Sequence, residues 1–372
     1  MTQPKVTLTR EQADDFGSEL DAIKERVLAD LGERDADYIR RVIKAQRALE
    51  VGGRAMLFAG ILPPAWLAGT AMLGLSKILD NREIGHNVMH GQYDWTRIPE
   101  LSSQRFEWDT VAPAENWRHS HNYIHHTFTN IVDKDRDVGY GVLRMDTAQK
   151  WHPYYLGNPV YATLLALFFQ WGVMLHDLEI ERVVKGERSW AENVPVLRKI
   201  VRKAARQVGK DYLLFPALTG PLAPLTLLGN ASANLVRNLW AFSIIFCGHF
   251  PADVESFTEE ETEDESRGQW YLRQILGSAN ISGGPLFHLL SGNLSHQIEH
   301  HLFPDLPACR YGGIAAEVRE ICERYGLPYN AGPLRKQLGS VARKIIRLAL
   351  PGSGGFSTRD VEPPAVGSTV AA

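Results

Sequence analysis

The chain has 372 residues, of which 44% are apolar, and it carries a formal net charge of -3 at pH 7. This length and composition allow one large domain or two with a real core, and the nearly balanced charge excludes a strongly basic nucleic-acid-binding protein. The three cysteines, Cys247, Cys309 and Cys322, lack paired or metal-type spacing, which excludes a disulfide framework and suits a reducing compartment.

The first 53 residues are polar and favour helices. Phe16, Leu20 and Ile23 begin a set of apolar positions at three- and four-residue steps, which predicts an amphipathic helix. Residues 39–47 mix basic and apolar side chains, a pattern that suits a helix lying on anionic lipid or a solvated cap helix. The stretch lacks a secretory signal pattern, so we assign residues 1–53 to N-terminal cap helices that stay on the chain.

Four apolar stretches follow, and each meets or approaches the roughly 20 residues that cross a bilayer core. Three carry no charged side chain, and the fourth carries His249 but no Asp, Glu, Lys or Arg: residues 55–76, 153–175, 212–236 and 238–252. Pro63 and Pro64 interrupt the first stretch, which leaves open a helical hairpin or one helix from 64 to 79 after a shorter segment. Together the stretches predict an all-α membrane protein with about four transmembrane helices.

The basic loop after the second apolar stretch indicates the orientation. Residues 182–210 contain nine Lys or Arg and two Glu, and such loops stay on the cytoplasmic side. Residues 154–175 are therefore expected to enter and leave on one face, as a re-entrant or interfacial helix. Residues from about 212 to 228 then cross the membrane outward, and residues from about 231 to 248 cross it back. All three histidine windows therefore lie on the cytoplasmic face, where a helical cap holds them. Arg237 interrupts the returning run and must snorkel or face protein.

Nine of the thirteen histidines lie in three short windows. The windows are Gly85-His-Asn-Val-Met-His90, His119-Ser-His-Asn-Tyr-Ile-His-His126 and His296-Gln-Ile-Glu-His-His301. On an α-helix, a rise of about 1.5 Å per residue puts His121 and His125 on one face about 6 Å apart, close enough to flank a metal ion. His126 then leans toward a neighbouring ion. A lone histidine is more often structural, but a recurring spacing favours metal ligation.

Two acidic runs accompany the windows. Asp133, Asp135 and Asp137 alternate with basic residues, which favours a solvated turn or support for the histidines over a separate metal site. Residues 259–265 are almost entirely acidic. That run is typical of a solvated loop and leaves open a docking patch for a redox partner.

The number of imidazoles requires two metal ions, because it exceeds what one ion can bind. Nitrogen-rich coordination without thiolate suits iron, zinc, copper or nickel. Histidines beside uncharged membrane segments indicate a lipid-like substrate, whose alkyl chain offers C–H bonds and no group to hydrolyse. Attack on such bonds needs a redox metal and dioxygen, which favours iron.

The three histidine boxes, in this order and with apolar runs between them, resemble the integral-membrane fatty acid desaturase family over roughly residues 50–310. The boxes are Gly85-His-x3-His90, His121-x3-His-His126 and Gln297-Ile-Glu-His-His-Leu-Phe-Pro304. The last is similar to the front-end and linoleoyl-type branch. We assign residues 54–310 to the desaturase domain, 311–350 to C-terminal cap helices, and the Gly-, Ser- and Pro-rich residues 351–372 to a disordered tail.

The resemblance implies a di-iron centre that removes two hydrogens from adjacent methylenes, with dioxygen as co-substrate and two electrons. The implied metal ligands are His86, His90, His121, His125, His126, His249, His296, His300 and His301. Gln297 and His119 are additional ligands or supports for ligands. Either His296 or Gln297 is the first member of the third box, because each lies four residues before another histidine of that box. No catalytic side chain is implied beyond the ligands.

The resemblance also implies partners and a location. The substrate is a fatty acyl chain on coenzyme A or on a lipid, and the chain is an integral membrane protein whose site faces the cytoplasm. The sequence contains no His-Pro-Gly-Gly haem motif, Gly-rich dinucleotide fingerprint or cysteine quartet. Electrons are therefore expected from an external donor, either a ferredoxin or a reductase with a small haem carrier.

Two alternatives remain open from the sequence. A membrane di-iron hydroxylase or epoxidase has the same boxes and differs only after hydrogen abstraction. A histidine-rich metal-binding or transport protein belongs to another class, but transporters usually place ionisable groups inside their spans, whereas these windows lie just outside them.

Overall fold

The computed structural model describes residues 7–184 and 186–352 of a mostly helical chain. The α-helices are α1 (Arg10–Ala29), α2 (Glu33–Phe58), α3 (Pro63–Leu79), α4 (Asn87–Met89), α5 (Ala114–Trp117), α6 (His126–Phe128), α7 (Asn158–Leu167), α8 (Phe169–His176), α9 (Ile180–Val184), α10 (Trp190–Val208), α11 (Phe215–Leu218), α12 (Ala223–His249), α13 (Arg267–Leu276), α14 (Pro285–Leu290), α15 (Gln297–Leu302), α16 (Tyr311–Arg324) and α17 (Leu334–Ala349). Three turns are π-helical: Asp80–His86, Arg118–His125 and Gly209–Leu214.

One short sheet departs from the predicted all-α architecture. Strands β1 (Asn280–Ser282) and β2 (Ala331–Pro333) pair in parallel, with Asn280 opposite Ala331. The sheet ties the segment before the third histidine box to the C-terminal helices. The predicted tail, residues 351–372, lies outside the described residues from position 353 onward.

Helix α1 packs on α13, α15 and α16 through an apolar core. Phe16, Leu20 and Ile23 are buried in that core. Where α1 crosses α13, a Cβ added to Gly268 would lie 1.7 Å from the carbonyl oxygen of Ala13, so only glycine allows this approach. The predicted amphipathic helix is confirmed, and protein covers its apolar face.

Of the two alternatives for residues 55–76, the structure shows the single helix from about 64 to 79, which is α3. The end of α2 precedes it, and the two helices form a hairpin. The two helices approach closely at Gly53 and Gly69, where a Cβ added to either residue would lie 3.0 Å from the carbonyl oxygen of the other. Helix α12 packs along α3 on another side, with Ala233 and Leu73 in one buried cluster. This three-helix unit leads to the first histidine window through α3 and to His249 through α12.

The predicted outward and return runs are corrected in one respect. The expected turn near residues 229–230 is wrong, because α12 runs without interruption from Ala223 to His249. Gly229 packs against Leu57 and Thr70, and the Asn230 side chain donates to the Asp211 carbonyl, so both serve helix packing. The chain instead turns at residues 219–222, where Gly220 has a φ of +57°.

Charged groups gather where the apolar stretches end. Asp211 is fully buried and accepts hydrogen bonds from Arg54 and Lys77, each at 2.7 Å. Arg237 is also buried and donates to the side chain of Asn238 at 3.1 Å. Of the two alternatives considered for Arg237, the structure shows the one in which it faces protein.

Helices α7 and α8 are relevant to the predicted transmembrane helices. In the described part of the chain, no single helix has both the length and the hydropathy to cross a membrane. Segments Pro153–Leu167 and Phe169–His176 pass that test only together and are bent by 103° at their junction. The bend fits a broken span or a re-entrant loop, so the four transmembrane helices stay a prediction.

The predicted domain boundaries fall at different kinds of position. Residue 53 lies inside α2, whereas residue 310 directly precedes α16. The division into cap and desaturase domain stays a prediction.

Candidate metal centre

Short helical pieces place histidines from each of the three windows around one centre. His86 ends the first π-helical turn and His90 follows α4. The second π-helical turn carries His121 and His125. His249 is the last residue of α12, and α15 carries His300 and His301. π-Helical turns recur at functional sites because they shift side chains relative to a regular α-helix.

Four histidines form the first group. Ligand nitrogens of His86, His90, His121 and His300 all lie within 4.8 Å of one another. The ring centroids of His86 and His90 are 4.5 Å apart, and those of His90 and His300 are 4.7 Å apart. The first and third boxes, more than 200 residues apart in sequence, therefore meet here.

A second group lies beside the first. Nitrogens of His125, His249 and His301 lie within 4.8 Å of one another, and the Nε2 atoms of His249 and His301 are 3.3 Å apart. His126 lies between the groups, with its nitrogens within 4.8 Å of ligand nitrogens of His300 and His301. The π-helical turn thus directs His121 mainly to one group and His125 mainly to the other.

The hydrogen bonds of these rings leave one nitrogen free on several of them. Nδ1 of His125 donates to Asp135 at 2.9 Å, and Nδ1 of His121 donates to Asp137 at 3.2 Å. Five buried Nε2 atoms have no hydrogen-bond partner among the described residues, those of His90, His121, His125, His126 and His300. A buried nitrogen without a partner is costly unless it binds something, and a metal ion is the usual ligand of such an imidazole.

Burial keeps most of these rings neutral. Burial, together with the charge of Arg82, lowers the pKa of His86 to about 3, and burial lowers the pKa of His90 and His300 well below the ordinary value. Burial alone would lower the pKa of His125 too, but the charge of Asp135 and its hydrogen bond raise it. A neutral imidazole keeps the lone pair that a metal ion needs.

Two of the predicted site residues lie outside this centre. The ring of His296 stacks on that of His288 at 4.6 Å, and no described group of metal-ligand atoms includes it. His119 is exposed and stacks on Tyr123 at 5.8 Å. By contrast, Nε2 of Gln297 lies 2.9 Å from Nε2 of His249, so Gln297 is the residue of that pair that reaches the centre.

Several residues that support the rings had no signal in the sequence. Oε1 of Gln274, on α13, accepts from Nδ1 of His301 at 3.0 Å, and the hydroxyl of Tyr311 lies 3.4 Å from Nδ1 of His300. Neither residue belongs to a recognisable motif. Each lies beside its histidine only because its helix packs against α15 in the folded protein. The acidic run did carry a signal, and its predicted support of the histidines is confirmed for Asp135 and Asp137.

A narrow cavity of about 50 Å³ opens beside both groups. Histidine rings from each group line it, including His86 and His249. Apolar side chains line much of the rest: Phe169, Val173, Ala241, Ile245 and Leu294. The apolar part of this lining suits an alkyl chain that passes the histidines.

The residues present fit a pair of transition-metal ions. A metal–nitrogen bond of about 2.1 Å allows ligand nitrogens at most about 4.2 Å apart, close to the spread within each group. The donors are imidazoles with the carboxylate of Asp137 nearby, a set that suits a borderline transition metal. Each group offers three or four such donors.

Comparisons with known proteins agree with this geometry. Residues 62–333 match the family described as "Fatty acid desaturase". The chain is 49% identical over 348 residues to the "NADPH-dependent stearoyl-CoA 9-desaturase" of Mycobacterium tuberculosis, covering 92% of this chain and 82% of the relative. It is 25% identical over 290 residues to the "sn-1 linoleoyl-lipid 6-desaturase" of Synechocystis, covering 76% and 79%, and 23% identical over 309 residues to human "Fatty acid desaturase 3", covering 78% and 64%.

Proposed function

The chain belongs to the fatty acid desaturase family, and on that premise we propose that a pair of histidine-bound irons carries its reaction. Membership makes the protein an oxidoreductase that introduces a double bond into an acyl chain. The observation that carries the proposal is the set of five buried Nε2 atoms that lack hydrogen-bond partners in the described chain. Two of their rings, His121 and His125, also line the cavity.

The proposed ligands follow the two groups of rings. His86, His90, His121 and His300 would hold one ion, and His125, His249 and His301 the other. His126 would complete the site between them, and Gln297 would contact the ion at His249. When bound, the irons supply dioxygen activation, the chemistry that removes hydrogen from an unactivated C–H bond. Iron is favoured over zinc because the reaction is a redox reaction.

The side chains around the rings orient and shield the centre. Asp135 and Asp137 hold the rings of His125 and His121 by Nδ1, so each Nε2 points to the centre. The apolar side chains on the cavity wall, such as Phe169 and Ile245, would limit the access of water to the centre. Two hydrogens leave adjacent methylene carbons, and with two electrons and two protons from outside they reduce dioxygen to two waters.

We assign the acyl chain to a coenzyme A thioester and the new double bond to position nine. The support is the relative at 49% identity, whose name specifies a stearoyl-CoA 9-desaturase. The same name specifies dependence on NADPH, whereas this sequence lacks a dinucleotide fingerprint. A separate protein, either a ferredoxin or a reductase with a small haem carrier, therefore delivers the two electrons. Turnover of the pure enzyme with NADPH alone would contradict this assignment.

We assign the protein to a membrane, with its site on the cytoplasmic side. Many of the large apolar side chains that remain exposed lie on the α2–α3 hairpin and on α7, α11 and α12, including Ile61, Leu67, Val160, Leu164, Leu218 and Leu228. Exposed apolar area of this extent is typical of contact with lipid. Helix α10 carries many basic residues and no acidic residue after Glu192, which supports a cytoplasmic position.

Expression in a host of simple fatty acid content tests the function. The wild type should add unsaturated acyl chains that are two hydrogens lighter than their precursors, whereas His125→Ala should add none. Products that are one oxygen heavier would indicate a hydroxylase or epoxidase instead. Bound iron is expected at two ions per chain, and a variable metal load would favour a metal carrier.

A further inference from the structure

Arg82 is a buried cation on the wall of the cavity beside the histidines. It is 5% exposed, lies in the π-helical turn that ends at His86, and lines the cavity. Its Nε donates to Oδ1 of Asn81 at 2.9 Å. Within residues 7–184 and 186–352, its two terminal nitrogens have no hydrogen-bond partner, and no carboxylate pairs with them.

Other buried arginines show how this chain usually satisfies a guanidinium. Arg54 and Arg273 each donate to a carboxylate at 2.7 Å. Arg237, on the same cavity wall as Arg82, donates to a side-chain amide at 3.1 Å and to a backbone carbonyl at 3.5 Å. The terminal nitrogens of Arg82 therefore differ from those of these three arginines, which all have hydrogen-bond partners within the protein. A partner for the terminal nitrogens of Arg82 must come from the cavity.

The side chain remains charged there. Burial lowers the pKa of Arg82 only to about 10, so the guanidinium is protonated at neutral pH. An unpaired buried charge is strongly destabilising, and proteins keep one mainly where a ligand completes it. A cavity for a bare hydrocarbon would not need this residue.

Gln170 is a second polar side chain on the same wall. It is buried at the start of α8, and its Oε1 has no hydrogen-bond partner in the described parts of the chain. Its Nε2 has no partner among the described residues either, and this NH2 group, not the accepting Oε1, is the donor that Gln170 adds to those of Arg82. A carbonyl oxygen, which accepts two hydrogen bonds, matches such donors.

We propose that Arg82, assisted by Gln170, binds the carbonyl oxygen of the acyl substrate and so determines which methylenes reach the histidines. This inference rests on the proposed function. The carbonyl is the polar group nearest to the hydrocarbon in both a thioester and a glycerolipid ester, so the argument holds for either source. Arg82 is a positioning residue in this scheme, because it does not touch the carbons that react.

The backbone makes this anchor suitable for setting a position. Arg82 and His86 belong to one π-helical turn, so their separation is held by continuous hydrogen-bonded backbone. Gly292 packs against that turn, and a Cβ there would lie 2.8 Å from the carbonyl carbon of Arg82. With the carbonyl held at a constant distance from the histidines, the number of intervening methylenes is also constant.

Substitution of Arg82 tests the proposal through the product and through binding. Arg82→Met should broaden the double-bond position from one carbon to several neighbouring ones, since the chain can then slide past the histidines. It should also raise KM about tenfold or more, the usual effect of losing a hydrogen bond to a charged group. Arg82→Lys, which keeps the charge, should raise KM less than Arg82→Met does. Gln170→Leu should act in the same direction and provides the test if Arg82→Met does not fold.

A substrate analogue without the carbonyl separates positioning from a structural role. The wild type should bind an acyl-CoA thioester better than the matching alkyl-CoA thioether, and Arg82→Met should lose most of this preference. Arg54→Met is the matched control, because Arg54 is equally buried but is paired with Asp211. It should lower stability without changing the double-bond position or the preference for the thioester.

The outcomes distinguish this inference from the function beneath it. A wild type that desaturates neither acyl-CoA nor phospholipid-bound acyl chains would overturn the proposed function itself. Active Arg82→Met and Gln170→Leu variants with an unchanged double-bond position and unchanged thioester preference would overturn only the anchor. Comparison of acyl-CoA with acyl-phospholipid in nanodiscs shows which source presents the carbonyl.

Discussion

The carboxylate of Asp135 accepts a hydrogen bond from Nδ1 of His125 at 2.9 Å, while Nε2 of the same ring is buried and has no partner among the described residues. Asp135 also accepts from the backbone N–H of Asn130 at 2.8 Å, so the carboxylate itself is held in place. A ring fixed at one nitrogen presents the other in a constant direction, which is the arrangement that supports metal binding.

Asp135→Asn is therefore expected to weaken metal binding about 10- to 100-fold, because it removes the negative charge that orients the ring and raises its basicity. Iron retained during dialysis against graded chelator measures the effect. Asp133→Asn is the control, because Asp133 is exposed, has a φ of +68° that asparagine tolerates, and lies in the same run. Equal iron retention in the two variants would refute the orienting role of Asp135.

The third box offers a test of Gln297 against His296. His296→Ala should keep two irons per chain, because the ring stacks on His288 away from the centre. Gln297→Ala should lower iron content, because its amide lies 2.9 Å from Nε2 of His249. Metal analysis of both variants, with His301→Ala as a reference for a lost ligand, decides the matter. Loss of an iron in His296→Ala would restore His296 as the first member of the box.

The buried carboxyl of Glu83 should make the free energy of unfolding depend on pH. Burial raises the pKa of its carboxyl from 4.5 to about 8, although Tyr38 and Asn293 donate hydrogen bonds to it. Between these two pKa values the folded protein holds a proton that the unfolded chain releases. The contribution of the protonated Glu83 to the free energy of unfolding is therefore fully present below about pH 4.5 and is lost as the pH rises through 8. The midpoint of thermal unfolding should fall over this range in the wild type.

Glu83→Gln should flatten that decline, because an amide has no proton to lose over this range. Glu320→Gln, which replaces an exposed carboxylate on α16, should leave the wild-type slope unchanged. Parallel pH profiles for the wild type and Glu83→Gln would show that Glu83 is already ionised in the folded protein.

Substitution of Asp211 is expected to lower the free energy of unfolding strongly. Its carboxylate is fully buried between Arg54 and Lys77, so Asp211→Ala leaves two buried cations without their shared partner. Removal of one member of a buried ion pair typically costs about 3–5 kcal/mol. Thermal unfolding in detergent should show it. Lys77→Met in the Asp211→Ala background should recover part of the loss, and failure to recover any would argue against coupling between these charges.

Much of the site could be predicted because imidazole chemistry is local. Eight of the nine predicted histidine ligands converge in the structure, since the short spacings within each window keep its histidines near one another on any helical turn. The amphipathic face of α1 was predictable for the same reason, because periodic burial depends on helix geometry and little else. Even Asp135 and Asp137 carried a signal, as they lie within 16 residues of the rings they hold.

Other features depended on partners far away in the sequence. Gly229 and Asn230 have the composition of a turn, yet they lie inside α12 because Leu57, Thr70 and Asp211 pack against them. The same i,i+4 spacing describes His296 with His300 and Gln297 with His301, so spacing could not separate His296 from Gln297. Gln274 and Arg82 belong to no motif at all.

The sequence by itself determined the chemistry of this protein, because residue types and short spacings specify which donors are available and which family uses them. The tertiary structure decided how those donors divide between two groups, which residue of the His296–Gln297 pair lies at the centre, and which polar side chains line the cavity. These are distances of a few ångströms between segments that are up to 200 residues apart or more, and only the packing of α3, α8, α12, α13 and α15 sets them.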